Sequence, residues 1–181
     1  NAPEIAARGA TVLVVGSGFL AYELASAARA AGAETTLVIK PGALSARYGV
    51  LEAILTMQTE SAGVHLVRST NCEFRNGGAT TAEGIRLEAD LVLAAIGSEF
   101  ERGIAPSDAS HGLLVDDRCR MRDGVVAAGD ATVTRLPNGL LRRDATWTNA
   151  LLQGAAAARA LLDDDASPYS PMPYAWTESF G

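Results

Sequence analysis

The chain has 181 residues, 48% of them hydrophobic and 20% charged, with a formal net charge of −6 at pH 7. The length suits one domain, or one domain and part of another, and the apolar fraction suffices for a packed core. The acidic balance argues against binding to nucleic acid or to an anionic membrane, and no apolar run is long enough for a membrane-spanning helix.

Residues 1–9 read as a lead-in; Asn1-Ala2 resembles the remnant of a cleaved tag, and there is no signal-peptide pattern. TVLVV at 11–15 is a β-favouring apolar run of the kind expected for a parallel strand buried on both faces. The turn Gly16-Ser17-Gly18-Phe19-Leu20-Ala21 follows it, then an alanine-rich helix ended by Gly32 and a second strand at 35–39. The spacing G-x-G-x-x-A is a form of the dinucleotide-binding fingerprint. Gly16 permits a sharp turn, Gly18 lets a pyrophosphate approach the backbone, and Ala21 lets the helix pack on the strand. The helix N-terminus offers free N–H groups and partial positive charge to the phosphates. The alternative is a plain strand–turn–helix that binds nothing, which the full strand, turn and helix context weakens.

Lys40-Pro41-Gly42 breaks the second strand, and a helix is predicted over 50–61, stopped by Gly63. A third parallel strand is predicted at 64–67. From 70 to 87 the chain is cut into short segments by Asn76-Gly77-Gly78 and Glu83-Gly84, which predicts an antiparallel meander. A buried strand at 89–97 ends in glycine, at the sheet edge where ligands of open α/β sheets lie. Residues 98–112 read as polar and irregular, 113–115 as a short strand, and 125–131 as a strand running through Gly129 to Asp130. A hairpin-like turn at 136–140 and a long helix over 145–162 precede a proline-punctuated tail from 167. Cys72 and Cys119 form no C-x-x-C and read as reduced structural thiols of a cytoplasmic protein. His65 and His111 are each isolated from any cysteine pair, so no metal site is predicted.

VVGSGFLAYE, ADLVLAAIG, VVAAGDA, ATWTNALLQGAAAARALL and PYAWTESFG, in that order, resemble the flavin-dependent ferredoxin reductases of the pyridine nucleotide–disulfide oxidoreductase superfamily. The first piece is generic. The Gly-Asp strand, the W-T-N-A-x-x-Q helix start and the P-Y-A-W-T tail are together specific, and the resemblance covers nearly the whole chain. It implies an α/β fold: a Rossmann-like open parallel sheet with an inserted antiparallel β-meander, binding NAD(P)H, over 10–124. A remnant of a second, FAD-type α/β domain returns over 125–166, and 167–181 is a linker toward a further domain. On this resemblance the chain is incomplete and lacks the first half of the FAD domain.

Carried over by position, the resemblance implies that the turn from Gly16 through Ser17, Gly18, Phe19 and Leu20 to Ala21 binds the nicotinamide cofactor. Glu23 would sit near the nicotinamide, or else be a first-turn carboxylate favoured by the helix dipole. Ile96 and Gly97 would line the cleft. In the flavin part, Asp130 after Gly129 would bond the ribityl chain, Trp147, Asn149 and Ala150 would face the isoalloxazine, and Trp176 would lie near it. The chain also departs from the pattern. An acidic residue is usual at the end of the second strand, where this chain has Ile39 and Lys40. Lys40, with Arg47 a short loop away, would pair with a 2′-phosphate, which favours NADPH slightly over NADH, or else is a solvated strand-end lysine beside a ribose site that Ile39 weakens. Ser98 stands where the family has proline after the cleft glycine, and the tail reads W-T-E-S rather than W-S-D-Q.

No nucleophile, acid–base pair or metal cluster stands out, so the chemistry would belong to cofactors. The intact protein is expected to pass a hydride from NAD(P)H to FAD and then electrons to a ferredoxin-type iron–sulfur partner. The chain by itself is expected to bind NAD(P)H weakly, hold no FAD and show no turnover. Two alternatives stay open: a disulfide reductase of the same superfamily, against which the missing C-x-x-C weighs, and a degenerate, non-catalytic nucleotide-binding module.

Overall fold

The computed structural model describes residues 9–99, 112–170, 174 and 176–180. Backbone contacts divide the chain into two units, Asn1–Gly97 with Thr177–Gly181, and Ser98–Trp176.

In the first unit, β1 (Thr11–Val15) leads into α1 (Phe19–Ala30) and then β2 (Glu34–Ile39). The one-turn α2 (Ser45–Tyr48), α3 (Leu51–Ser61) and β3 (His65–Arg68) follow. Next come β4 (Cys72–Arg75), β5 (Gly78–Thr81), β6 (Arg86–Glu88) and β7 (Leu91–Ala94). β3, β2, β1 and β7 form a parallel sheet in that order, and β4, β5 and β6 an antiparallel meander. The expected Rossmann-like sheet and inserted meander are therefore present. Beyond Thr11, β1 is apolar because both of its faces are covered. Val12 and Val14 pack with Ala21, Tyr22 and Ala25 of α1 and Leu55 of α3, while Leu13 and Val15 pack with Val38, Val67 and Ala79 of the meander. A strand buried on one face alone would alternate polar with apolar residues. At the amino end, the Asp90 carboxylate accepts from both the backbone N–H and the hydroxyl of Thr11, each at 2.9 Å, which sets the β1–β7 register.

The second unit contains β8 (Leu113–Val115), β9 (Arg120–Arg122), β10 (Val125–Val126), β11 (Thr132–Arg135), β12 (Leu141–Arg142) and α4 (Trp147–Leu162). β8 runs parallel to β11, which also forms a hairpin with β12; β9 and β10 pair antiparallel. Leu113, Val115, Cys119, Val133, Ala157 and Ala160 are buried here. Thr146 caps the start of α4 by accepting from the N–H of Asn149. The Arg120 guanidinium closes its end on the carbonyls of Ala160, Asp163 and Asp164, each at 3.1 Å.

Four expectations differ from what is observed. The strand expected over 125–131 is only Val125–Val126, followed by a single 3-10 turn at Gly129–Ala131. The buried Gln153 side chain takes the Gly129 N–H, which a strand would have spent on a neighbour. The last helix starts at Trp147 rather than residue 145, where its cap places it. The sequence reading divides the chain at 124/125, but the pairing of β8 with β11 joins 113–115 to the segment that follows, and the units divide at Gly97/Ser98. Residues 177–180 do not behave as a linker: Phe180 packs on the apolar cluster under α1. Of the irregular stretch expected over 98–112, residues 100–111 lie outside the described residues, as does His111.

Candidate functional site

The fingerprint turn lies at the carboxyl end of β1. The Gly16 N–H donates to the Val38 carbonyl at 3.0 Å, and the Ala95 N–H donates to the Val15 carbonyl at 2.7 Å, so the turn is wedged between β2 and the end of β7. A Cβ on Gly16 would stand 2.3 Å from the Ala95 carbonyl oxygen and 3.1 Å from the Ala21 Cβ. Only glycine fits there, and only a small residue fits at 21, which is fully buried. Gly18 is different: a Cβ on it would meet nothing within 4 Å. It is the N-cap of α1, and no side chain caps the helix there. The amino end of α1 is therefore open at Gly18 and has no side-chain cap, an arrangement that fits an anionic pyrophosphate.

The other predicted residues of this unit divide by what their side chains do. The Ser17 hydroxyl accepts from the Lys40 N–H at 2.7 Å, tying the fingerprint to the end of β2. Phe19 packs against Tyr48 with ring centroids 5.0 Å apart, and Leu20 is exposed. Lys40 is exposed, whereas Ile39 is 2% exposed and belongs to the apolar cluster. Only Lys40 of this pair thus presents a side chain at the strand end; the side chain of Arg47 lies outside the described residues. Ile96 and Gly97, both exposed, follow β7 at the same carboxyl edge. Glu23 lies beyond the first turn of α1, which contains no acidic residue, so the dipole reading of it fails. Its carboxylate instead accepts from the Thr177 hydroxyl at 2.8 Å.

Glu52 escaped the sequence reading. Its carboxylate accepts from the backbone N–H groups of Gly42, Leu44 and Ser45, each at 2.9 Å, and so organises the loop that follows Lys40. Burial pushes its pKa up, but the backbone N–H donors together outweigh that and hold the carboxyl below its ordinary value. An acidic residue in the first turn of a helix soon after a Pro-Gly break is the signal that could have found it.

In the second unit, Gly129 has φ +76°, and a Cβ on it would stand 3.3 Å from the Ala150 Cβ, so the turn rests directly on the start of α4. Asp130 and Trp147 are exposed, as is Trp176. Asn149 is not free to face a ligand. It is 7% exposed; its amide donates to the Asp144 carbonyl and to Gln153 Oε1, and its oxygen accepts from the Tyr169 hydroxyl. Gln153, 1% exposed, also takes the Gly129 N–H at 2.8 Å and donates to the Thr134 hydroxyl at 3.3 Å. Gln153 is the last residue of the W-T-N-A-x-x-Q helix start, and a polar residue one turn after Asn149 in an otherwise Ala/Leu-rich helix is the further signal that could have given it a role.

A cavity of about 600 Å³ lies at the opposite, amino end of the parallel strands, lined by Thr11, Arg29, Glu34, His65 and Arg86 among others. It contains no fingerprint residue. Among the described residues no cluster of three or more His, Cys, Asp or Glu could hold a metal, and no helix is long and apolar enough to cross a membrane. Burial pushes the thiols of both Cys72 and Cys119 above their ordinary value, which suits structural thiols rather than reactive ones.

The family model described as "Pyridine nucleotide-disulphide oxidoreductase" matches residues 1–154. The chain belongs to this family. Among solved structures, this pyridine nucleotide-disulphide oxidoreductase chain is similar to the ferredoxin reductase for the CYP199A2 system from Rhodopseudomonas palustris. The identity is 25% and the TM-score 0.76, over 97% of this chain and 46% of that one. It is similar to Fdr9 at 26% identity and TM-score 0.77, over 98% of this chain and 48% of that one. The reductase in a covalent putidaredoxin reductase–putidaredoxin complex shares its fold at 21% identity and TM-score 0.79, over 94% and 44%. The chain thus spans less than half the length of each of these three chains.

Proposed function

We propose that this chain is the NAD(P)H-binding portion of an FAD-dependent oxidoreductase that passes electrons to a ferredoxin-type iron–sulfur partner. One observation carries the reading: the Gly16–Gly18 turn opens at the carboxyl edge of a parallel sheet, with space at Gly18 and no side chain capping α1. The likeness to a ferredoxin reductase at 25% identity supports the iron–sulfur acceptor.

The bound cofactors would supply the redox chemistry, hydride transfer by the nicotinamide and single-electron transfer by the flavin. The chain's own part is to bind and orient. The first turn of α1 holds the pyrophosphate by its N–H groups. Lys40, fixed through its backbone by Ser17, meets the adenosine end of the dinucleotide and favours a 2′-phosphate. Glu23 and the Ile96-Gly97 edge flank the nicotinamide. In the flavin part, Asp130 and Trp147 offer exposed side chains, while Asn149 and Gln153 fix the turn beneath them.

The test is a parallel titration of the chain with NADPH and NADH by calorimetry, repeated with Lys40→Ala. Tighter NADPH binding that the substitution abolishes is the expected result, since one lost charge-assisted contact costs about tenfold. Equal affinity for the two, unchanged by the substitution, would remove Lys40 from the site. Absence of binding to the folded chain would overturn the nucleotide reading.

A further inference from the structure

The last described residues lie along α1. The Thr177 hydroxyl donates to Glu23 Oε1 at 2.8 Å, and the Phe180 N–H donates to the Ser26 hydroxyl at 2.7 Å. Glu23 and Ser26 are three residues apart on α1 and share one side of it. The Phe180 ring joins the apolar cluster of the sheet, and its backbone has φ 58°, a conformation that bulky side chains rarely adopt. Strain of that kind persists only where surrounding contacts impose it. Two hydrogen bonds and a half-buried ring thus place the tail on the fingerprint helix, across 154 residues of sequence.

Glu23 is the sole acidic residue of α1 and stands four residues past its first, about one turn up the helix from the pyrophosphate end. A carboxylate of this length has several rotamers, and the Thr177 hydroxyl selects one of them. We propose that Thr177 is a positioning residue. It holds the Glu23 carboxylate toward the nicotinamide, and the fixed negative charge favours the oxidised, cationic ring over the reduced, neutral one. The inference rests on the nucleotide reading above and adds the residue that tunes it. A carboxylate held in one place acts on the charge of the ring, whereas one spread over several rotamers is screened by water. The preference thereby holds the oxidised ligand more tightly relative to the reduced one and sets the redox balance of the bound pair.

The experiment measures Kd for NADP⁺ and NADPH on the wild-type chain and on Thr177→Val, Thr177→Ser, Glu23→Gln and the Thr177→Val/Glu23→Gln double variant. The ratio of the two constants is the readout, because a merely structural lesion weakens both forms alike. Thr177→Val should shift the ratio toward the reduced form by about three- to tenfold, the scale of a partly screened charge losing its place. Thr177→Ser, which keeps the hydroxyl, should restore the wild-type ratio. Glu23→Gln should shift it at least as far, and adding Thr177→Val to Glu23→Gln should change nothing more. A wild-type ratio in Thr177→Val, with Glu23→Gln shifted, would overturn the positioning role and leave the nucleotide site standing. Equal weakening of both forms by Thr177→Val, or no shift from Glu23→Gln, would also overturn it. If the folded wild-type chain binds neither form, the nucleotide reading fails and the positioning role fails with it.

Discussion

At the scale of single residues, the site depends on side chains spent on the backbone rather than on the ligand. Ser17 gives its hydroxyl to the Lys40 N–H, and Glu52 gives its carboxylate to three backbone N–H groups of the next loop. Both fix the chain around Lys40, the side chain argued to choose between NADPH and NADH. Glu52 makes a pH prediction. Its folded pKa lies below its unfolded one, so its stabilising contribution is full above the unfolded value and fades as pH falls through the folded one. Glu52→Gln should therefore lower the Tm at neutral pH, with the difference from wild type shrinking in acid. Thermal melts across pH 3–8 (about the range in which carboxyls titrate) would show it. A Tm difference that stays constant with pH would mean that the charge of Glu52 contributes nothing. Glu52 was not legible in advance, because its partners are backbone groups whose direction depends on the loop's path.

The elements repeat this division. The existence of β1, α1, β2 and the meander could be read from apolar runs and Asn-Gly-Gly punctuation, since local propensity and pattern agree there. The strand expected over 125–131 was misread because Val125-Val126-Ala127-Ala128 is apolar enough for a strand, but the outcome was decided by a side chain on α4. Gln153 takes the Gly129 N–H, bonds the amide of Asn149 and reaches the Thr134 hydroxyl, all in a buried setting. Removing it leaves several buried polar groups without partners. Gln153→Ala is expected to cost about 2–4 kcal/mol, measured by urea unfolding, more than the loss of any one bond would. A cost near zero would mean that water replaces the side chain. Asn149 was assigned to a flavin by resemblance, yet its side chain is committed to this same network.

For the whole molecule, each of the two units has its own buried apolar set, which makes the location of damage predictable. Gly16→Ala forces a Cβ against the Ala95 carbonyl, 2.3 Å away, and should cost about 2–4 kcal/mol through overpacking and backbone strain. Native-state hydrogen exchange should quicken first in β1, β2 and β7 for Gly16→Ala, and first in β11 and α4 for Gln153→Ala. Uniform acceleration everywhere in both variants would count against two separately stabilised cores. The expected boundary at 124/125 missed that division because β8 carries no mark of its partner; a three-residue strand reads the same whether it pairs backward or forward in the chain.

The sequence by itself determined the family, the fingerprint turn and the alternation of strand and helix around it. These depend on residues close together in the chain, where spacing and glycine positions state the backbone geometry directly. Tertiary structure alone decided that Ile39 is buried while Lys40 is exposed, that Glu52 and Gln153 hold the loops beside the two candidate ligand sites, and that Thr177 reaches Glu23. Each of these is a hydrogen bond or a packing contact between groups whose separation in sequence says nothing about their separation in space. Such a contact exists only once the sheet order and the path of the tail have brought the two groups within bonding distance.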